Sequence, residues 1–438
     1  MLNENIKNIL PLTSQVNKEG TLEIGGCNLE KLSNQYGTPL YLYDETTIRQ
    51  ICKEFVNEFE NSYPDSHISY SSKAFSSPYL TKILEEENLG IDVVSGGELS
   101  VLQHAEFPSS KVNFHGNNKS YEELKQAVEW KIETITLDSF DEITLLNQIA
   151  SELSIKQKVL IRVSPSVDPK THILTTTGNL DSKFGFPIET GQAEEAIKLT
   201  VKMSNLDLHG IHFHLGSPIF ETKPYVLAIN YVLEFANQQK KNGLNLRIFN
   251  PGGGFAVSYT STDKIPPSIK EYANSISKTI KNKCNELSLP EPHLIVEPGR
   301  AIVARSGVAI YKVGSIKDIP GVRKYVSIDG GMGDNIRPAL YQSKYSLFSV
   351  TKILKKPTEK VAVVGKFCES GDILSSETYL PKLKFGDLIL AATSGAYNIP
   401  MSSNYNMYCR PTILIVNQGN HRIIKKRETY EDLLSHFV

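Results

Sequence analysis

Apolar residues along this chain follow two alternating rhythms. In "DETTIRQICKEFVNEF", Ile48, Ile51, Cys52, Phe55 and Phe59 recur at helical spacing behind Asp44, a residue suited to capping. Beyond it, short apolar runs of strand type are each followed by a turn and a helical stretch. The runs are "HISYSSKAF" (67–75), "GIDVVSGGE" (90–98), "KVNFHG" (111–116), "ETITLDS" (133–139), "KVLIRVSP" (158–165), "LDLHGIHFHLGS" (206–217), "LRIFNPGGGF" (246–255) and "HLIVEPGR" (293–300). Amphipathic stretches such as "YEELKQAVEW" and "PYVLAINYVLEFANQQK" lie between them. About eight strand–helix units result, the number that closes a parallel (β/α)8 TIM-type barrel. The rival arrangement of the same units is an open, doubly wound sheet.

After about residue 305 the rhythm changes. "GVAIYKVGSI", "RKYVSIDGGM", "KVAVVGKF", "DLILAAT" and "TILIVNQ" are strand-like runs joined by loops with little helix. They predict a second, mostly antiparallel β domain, so the fold class is α/β with an added β domain. The expected division is a barrel over 44–305 and a C-terminal β domain over 306–438. Residues 1–43 also read as β-like ("TLEIGG", "PLYLY") and are expected to pack with the β domain.

A length of 438 residues suits one large domain plus a smaller one, and 40% apolar with 22% charged residues is ordinary for a soluble globular protein. Lys+Arg 47 against Asp+Glu 48 gives a net charge of −1, which offers no reason to expect nucleic acid or an anionic membrane as partner. The five cysteines are scattered, odd in number and without CxxC spacing. They indicate neither a disulfide framework nor a structural zinc site, and fit a reducing, cytoplasmic setting. The stretch "MLNENIKNILPLTSQ" lacks the pattern of a signal peptide, and no run approaches the length that spans a bilayer.

In a barrel of this kind, function is built at the C-terminal ends of the strands. There the sequence places Lys73, Asp92, His115, His214 with Ser217, the triplet Gly252-Gly253-Gly254, and Glu297 with Gly299 and Arg300. Three glycines before a helix let backbone N–H groups approach an anion, and strands seven and eight often flank phosphate. A tight glycine turn is the plain alternative for "GGG", and the neighbouring "EPGR" tilts the choice to a phosphate cradle. Lys73 is either a lysine whose stem lies along the surface or a desolvated amine that forms a Schiff base with a carbonyl. A phosphate site, such an amine and an acid for a ring nitrogen together point to pyridoxal 5′-phosphate. His212 and His214 form an H-x-H pair that strand parity puts on one face. No carboxylate-rich set stands at metal-ligand spacing, so no metal is expected. His214 suits a cofactor ring and Ser217 its phosphate, while His212 reads as a core histidine.

In the β domain, "KFCESGD" (366–372) sets Cys368 among turn-forming polar residues, as an exposed thiol able to exchange protons. "DGGMGDNIRPALY" (329–341) offers Arg337 and Tyr341, and "SGAYNIPMSSNYN" (394–406) offers Tyr397. These matter as a set if the β domain closes over a barrel mouth.

The ordered motifs "YSSKAF", "DVVSGGEL", "HGNNKS", "KFG", "HFHLGS", "GGGF", "EPGR", "GDNIRPALY", "CESGD" and "GAYNIPMSSNYN" resemble the diaminopimelate decarboxylase family, from about residue 37 to 412. The resemblance implies an alanine-racemase-like barrel with its C-terminal β domain and a pyridoxal 5′-phosphate cofactor. It also implies decarboxylation of meso-2,6-diaminopimelate to L-lysine and CO2, the last step of lysine biosynthesis. By the same resemblance Lys73 joins the cofactor's aldehyde, Asp92 borders the cofactor, His214 stacks on its ring and Glu297 pairs with the ring nitrogen. Ser217, Gly252, Gly253, Gly254, Gly299 and Arg300 surround the phosphate and the nearby substrate carboxylate. Arg300, Arg337 and Tyr341 hold substrate carboxylates, Tyr397 touches cofactor and substrate, Glu369 meets the substrate's amino group and Cys368 returns a proton. The resemblance further implies a homodimer with shared active sites, Cys368 and Glu369 coming from the partner chain. A racemase of the same fold type typically has an arginine where this sequence has Glu297, which favours decarboxylation. A sibling decarboxylase acting on ornithine, arginine or lysine is the alternative. The chain departs from the family pattern at Pro218, Lys366-Phe367, Gly333 and Asn335, where glutamine, a proline with a small or apolar residue, asparagine and leucine are common.

Overall fold

A computed structural model of the chain describes residues 2, 4–167 and 181–438. The chain divides into two compact units, one of residues 51–256 with 266–299, the other of residues 1–50, 257–265 and 300–438.

The first unit is a closed barrel. Its strands are β1 (Ser66–Ser71), β2 (Gly90–Val93), β3 (Val112–Phe114), β4 (Thr134–Leu137), β5 (Gln157–Ser164), β6 (Leu206–His212), β7 (Ile248–Asn250) and β8 (His293–Val296). Each pairs in parallel with the next, and β8 returns to β1, so no strand edge is left open. The open-sheet alternative is thereby excluded. Helices α1 (Pro78–Glu86), α2 (Gly96–His104), α3 (Tyr121–Glu129), α4 (Phe140–Glu152), α5 (Gln192–Lys202), α6 (Lys223–Gln239) and α7 (Ile269–Glu286) follow β1 to β7 in turn. Their starts are chemically marked. Ser77, Ser95, Ser120, Ser139 and Ser268 each accept a hydrogen bond from the backbone N–H three residues on, and Glu123 and Glu271 complete capping boxes at α3 and α7. Strand interiors are apolar and buried; Leu160, Ile248 and Ile295 meet as one small cluster.

The second unit is built on a mostly antiparallel sheet. Its longest strand, β9 (Gly307–Ile319), pairs antiparallel with the strand Leu40–Asp44, with Arg323–Ile328 and with Leu388–Ala391. Two pairings are parallel, Arg323–Ile328 with Glu359–Val364 and Leu40–Asp44 with Thr412–Asn417. The N-terminal strand thus sits inside this sheet, between β9 and Thr412–Asn417. Leu22, Leu40, Leu42, Val308, Ile310 and Leu414 share its core.

Candidate active site

The polar tails of the eight apolar runs lie just beyond the barrel strands, and glycines let those tails touch. A Cβ on Gly254 would meet the Gly216 carbonyl at 2.4 Å, and one on Gly253 would meet the Glu297 carbonyl at 2.0 Å. A Cβ on Gly299 would meet Ser71 at 2.9 Å. The backbones after β6, β7, β8 and β1 are therefore packed against one another where no side chain fits. Tyr225 Oη donates to the Gly253 carbonyl (2.8 Å), and the Ile219 N–H to the Gly254 carbonyl (2.8 Å), closing the same seam.

This alters the simplest picture of the glycine triplet. Gly252 N–H donates to Asn250 Oδ1 (2.9 Å) and Gly253 N–H to His214 Nδ1 (3.3 Å), so two of the three amides are engaged within the protein. The first task of these glycines is close backbone packing, with Gly252 and Gly254 at φ +73° and +108°.

Lys73 lies in a short 3₁₀ turn, Ser72–Ala74, directly after β1. Ser72 and Ala74 are buried while Lys73 itself is exposed. Of the two readings of this lysine, an exposed side chain between two buried neighbours is what the turn gives. Ser72 Oγ donates to Glu98 Oε2, and Tyr70 Oη donates to the Phe75 carbonyl (2.7 Å), which fixes the turn from both sides.

At the strand ends lies a buried charge cluster. Glu297 is 6% exposed, follows β8 and accepts a hydrogen bond from Asn250 Nδ2 (2.6 Å). His115 Nε2 stands 2.8 Å from Asp92 Oδ1 and 3.2 Å from Glu297 Oε1. His212 Nε2 stands 3.4 Å from Glu297 Oε2. Asp92 also accepts a hydrogen bond from Ser71 Oγ (2.7 Å). Burial alone pushes the Glu297 carboxyl up, but His115 and then His212 outweigh it and hold the acid well below the usual carboxylate range. Burial pulls the His115 imidazole down, yet Asp92 and Glu297 prevail and raise it to about 9. Burial wins at His212, which falls to about 3.

The expectation that His212 and His214 share a face fails because β6 ends at His212. His212 reaches Glu297, whereas half-buried His214 lies in the loop beyond, its Nδ1 accepting from Gly253. That bond leaves His214 as the neutral tautomer protonated at Nε2. Burial, then Lys73 and Arg162, hold it well below its ordinary value. Ser217, also half-buried, is three residues further on.

Arg162 was not singled out in the sequence. It is a charged residue in the middle of the apolar run "KVLIRVSP", and that position was the available signal. Its Nη1 stands 3.8 Å from Asp138 Oδ2, and its guanidinium lies 4.4 Å over the Phe184 ring.

The second unit gathers the remaining expected residues into two groups. Buried Arg300 and Arg337 share the faces of two tyrosines. Arg300 lies 4.7 Å and Arg337 5.5 Å from the Tyr397 ring centre, and they lie 5.7 Å and 5.9 Å from that of Tyr259. Arg300 Nη1 donates to Tyr259 Oη (2.5 Å) and Arg337 Nε to Tyr345 Oη (3.0 Å). Arg337 opens the short helix Arg337–Tyr341 and stands 5.3 Å over the Tyr341 ring. Tyr397 holds a left-handed backbone, φ +66°. Such strain in a non-glycine residue concentrates where geometry serves function. Tyr259 and Tyr345 were missed, having no motif around them in the sequence.

The other group is the Cys368 loop. Cys368 and Glu369 are exposed. Asp372 knots the loop at its base, its carboxylate accepting from Phe367 N–H (2.9 Å) and Met332 N–H (2.7 Å). Cys368 N–H donates to Asn406 Oδ1 (2.9 Å). Phe367 lies buried in an aromatic nest, stacked on Tyr405 (6.2 Å) and edge-on to Tyr408 (5.1 Å). Two departures from the family pattern fit each other here, since a Cβ on Gly333 would lie 2.2 Å from Phe367 Cζ.

The barrel residues suit pyridoxal 5′-phosphate by their donor chemistry. A buried acid held ionised suits a ring nitrogen, a neutral imidazole held by its Nδ1 suits a ring face, and an amine on an anchored turn suits an aldehyde. His212 Nδ1 is buried here without a hydrogen-bond partner, unusual for a protein core.

Comparison with known proteins points the same way. Residues 47–304 match the family described as pyridoxal-dependent decarboxylase, pyridoxal binding domain. A protein of Bacillus subtilis (strain 168) named diaminopimelate decarboxylase is 42% identical over 423 residues, 96% of each chain. A crystal structure of diaminopimelate decarboxylase from M. jannaschii superposes with TM-score 0.92 at 33% identity, covering 99% of this chain and 98% of that one. Another from the same source, in complex with L-lysine, gives TM-score 0.89 at 34% identity, covering 97% and 98%.

Proposed function

Because this chain belongs to the diaminopimelate decarboxylases, pyridoxal-dependent enzymes, we propose a division of labour among its residues for converting meso-2,6-diaminopimelate to L-lysine and CO2. The observation that carries this reading is the buried, ionised Glu297 in the barrel, supported by His115 and His212. Lys73 carries the cofactor through its amine. When bound, pyridoxal phosphate supplies an electron sink for the pair left behind as CO2 departs. Glu297, as a carboxylate, keeps a proton on the ring nitrogen and so keeps that sink strong. His214, with Asp92 nearby, borders the ring, and Ser217, Gly252, Gly253, Gly254 and Gly299 border the phosphate.

Arg300, Arg337 and Tyr341 hold the substrate's carboxylates, with Tyr397 beside substrate and cofactor. Guanidinium forks suit this task because two parallel donors match one carboxylate. Glu369 meets the distal amine, and Cys368 gives a proton to the carbon that lost CO2. The exposure of Cys368 and Glu369 supports a homodimer in which each chain lends these two residues to the other's site. Five free cysteines support a cytoplasmic enzyme, and among the described residues no helix is long and apolar enough to cross a membrane.

Specificity follows from the distal carboxylate. A site that pairs it with buried donors rejects analogues lacking it, since those donors then go unpaired. CO2 release from meso-diaminopimelate, lysine, ornithine and arginine, each with added pyridoxal phosphate, tests this. Turnover is expected with the first alone; faster turnover of any of the other three would overturn the reading.

A further inference from the structure

The charge cluster at the strand ends contains one group with no assigned role. His115, 4% exposed, follows β3, and its Nε2 lies within 3.2 Å of two carboxylates from different strands, Asp92 of β2 and Glu297 after β8. We infer that His115 is a positioning residue, an imidazolium clamped between Asp92 and Glu297 that keeps Glu297 ionised and fixed where it meets the cofactor's ring nitrogen. This deepens the assignment of Glu297 made above and rests on it.

The charge count carries the argument. Asp92 and Glu297 are both buried, at 2% and 6% exposure, and each lies beside the same nitrogen. Two buried carboxylates so close together cannot both stay ionised without a cation. The groups facing His115 are Asp92 from β2, His212 from β6, whose ring centre is 4.6 Å away, and Glu297 after β8. Arg162 of β5 adds a more distant charge felt by both acids, but its near partner is Asp138. Lys73 and His214 stand on the turns above. Burial keeps His212 neutral. The cation is therefore His115.

The spacing agrees: His115 Nε2 lies 2.8 Å from Asp92 Oδ1 and 3.2 Å from Glu297 Oε1, so one ring nitrogen serves two carboxylates. Ser71 Oγ, bonded to the other oxygen of Asp92, and Asn250 Nδ2, bonded to Glu297, hold the two acids in place on either side.

Such a clamp sets the basicity of Glu297. An acid held ionised by a neighbouring cation stays a carboxylate throughout the working pH range, which a ring-nitrogen partner requires. Since folding raises the His115 pKa to about 9 from an ordinary 6.5, its contribution is complete below about pH 6.5 and fades as pH rises through about 9.

Nitrogen NMR of holoenzyme labelled with 15N-histidine tests the charge directly, with His115→Gln identifying the His115 signals by difference. An imidazolium that persists at pH 7.5 and titrates near 9 is expected; a neutral His115 at pH 7 overturns the inference. One equivalent of tightly held zinc, released by a chelator, would overturn it too, because His115, His212 and Glu297 would then be ligands. Cofactor retention on dialysis supplies a second readout. His115→Gln is expected to lose cofactor at least about tenfold faster and to lower kcat with KM little changed. Adding Asp92→Asn to it is expected to recover part of that loss, since the second change removes the orphaned charge. A double variant as poor as the two losses combined would leave a merely structural role. Borohydride trapping on Lys73 in each variant reads cofactor attachment separately, so failure of the clamp and failure of the underlying assignment give different results.

Discussion

In the barrel unit, Glu297, His115 and Asp92 are 6%, 4% and 2% exposed and are held by one another, at the ends of strands whose backbones touch through glycines. In the second unit, Cys368 and Glu369 stand exposed on a loop knotted at its base by Asp372. The arginines of that unit are buried and lie over tyrosine faces. The difference follows from what each group is asked to do. A charge that tunes a bound ring must not move, and a buried ion cluster is stiff because every displacement exposes an unpaired charge. A thiol that delivers a proton needs access, and a loop gives it.

The largest effects separate the two units by kind of failure. Lys73→Ala is expected to abolish turnover together with borohydride-trappable cofactor. Cys368→Ala is expected to slow turnover by roughly 10²–10⁴-fold, the usual worth of a positioned proton donor, while the cofactor's absorbance stays intact. Steady-state kinetics and a visible spectrum on each variant check this. If Cys368→Ala also lost the cofactor, the assignment of separate tasks to the two units would fail.

Much of this contrast was legible beforehand. The eight apolar runs correspond to the eight barrel strands, because buried parallel strands have to be continuous and apolar, and their polar tails had to lie outside. The N-terminal strand could be expected near the β domain from its β-like texture alone. The role of the glycines was less legible. "GGG" reads as an anion cradle, whereas Gly253 is required chiefly because the Glu297 carbonyl occupies the place of its Cβ. Such a contact between distant strands leaves no trace in local sequence. The same holds for Tyr259, which reaches Arg300 from a segment that belongs with the second unit. The placing of His212 and His214 on one face failed because parity holds only inside a strand, and β6 stops at His212.

A steric pair sharpens the comparison at the level of stability. Gly253→Ala drives a Cβ to 2.0 Å from a backbone carbonyl that has no room to retreat, and about 3 kcal/mol of stability is expected to be lost. Gly371→Ala, on the exposed loop, meets nothing nearer than Glu369 Oε1 at 3.8 Å and is expected to stay within about 0.5 kcal/mol of the parent. Urea denaturation of both would show it, and equal losses would mean that the loop is as tightly built as the barrel seam.

Within the second unit, Gly333 and Phe367 are expected to behave as one feature. Gly333→Asn restores the residue common in the family but drives it into the Phe367 ring, with an expected cost of about 2 kcal/mol. Adding Phe367→Ala opens that space, so the double variant is expected to be more stable than the sum of the two single losses allows. Strict additivity would mean that the two departures arose independently.

Asn335 offers the smallest and most one-sided test. It is 1% exposed, and neither its Nδ2 nor its Oδ1 meets a hydrogen-bond partner. A buried amide left unpaired costs on the order of 1–3 kcal/mol relative to a paired one. Leucine has the same branched skeleton of side-chain heavy atoms and no polar atom, so Asn335→Leu is expected to stabilise the protein by about 1 kcal/mol, with a matching rise in denaturation midpoint. The barrel contains a comparable orphan in His212 Nδ1, yet His212 presents its other nitrogen to Glu297 at 3.4 Å. Replacing His212 by leucine would remove a neighbour that holds Glu297 ionised, so there stability and turnover are expected to part company. If Asn335→Leu destabilised the protein instead, the amide would have a partner in solution, and the second unit would share the barrel's habit of pairing what it buries.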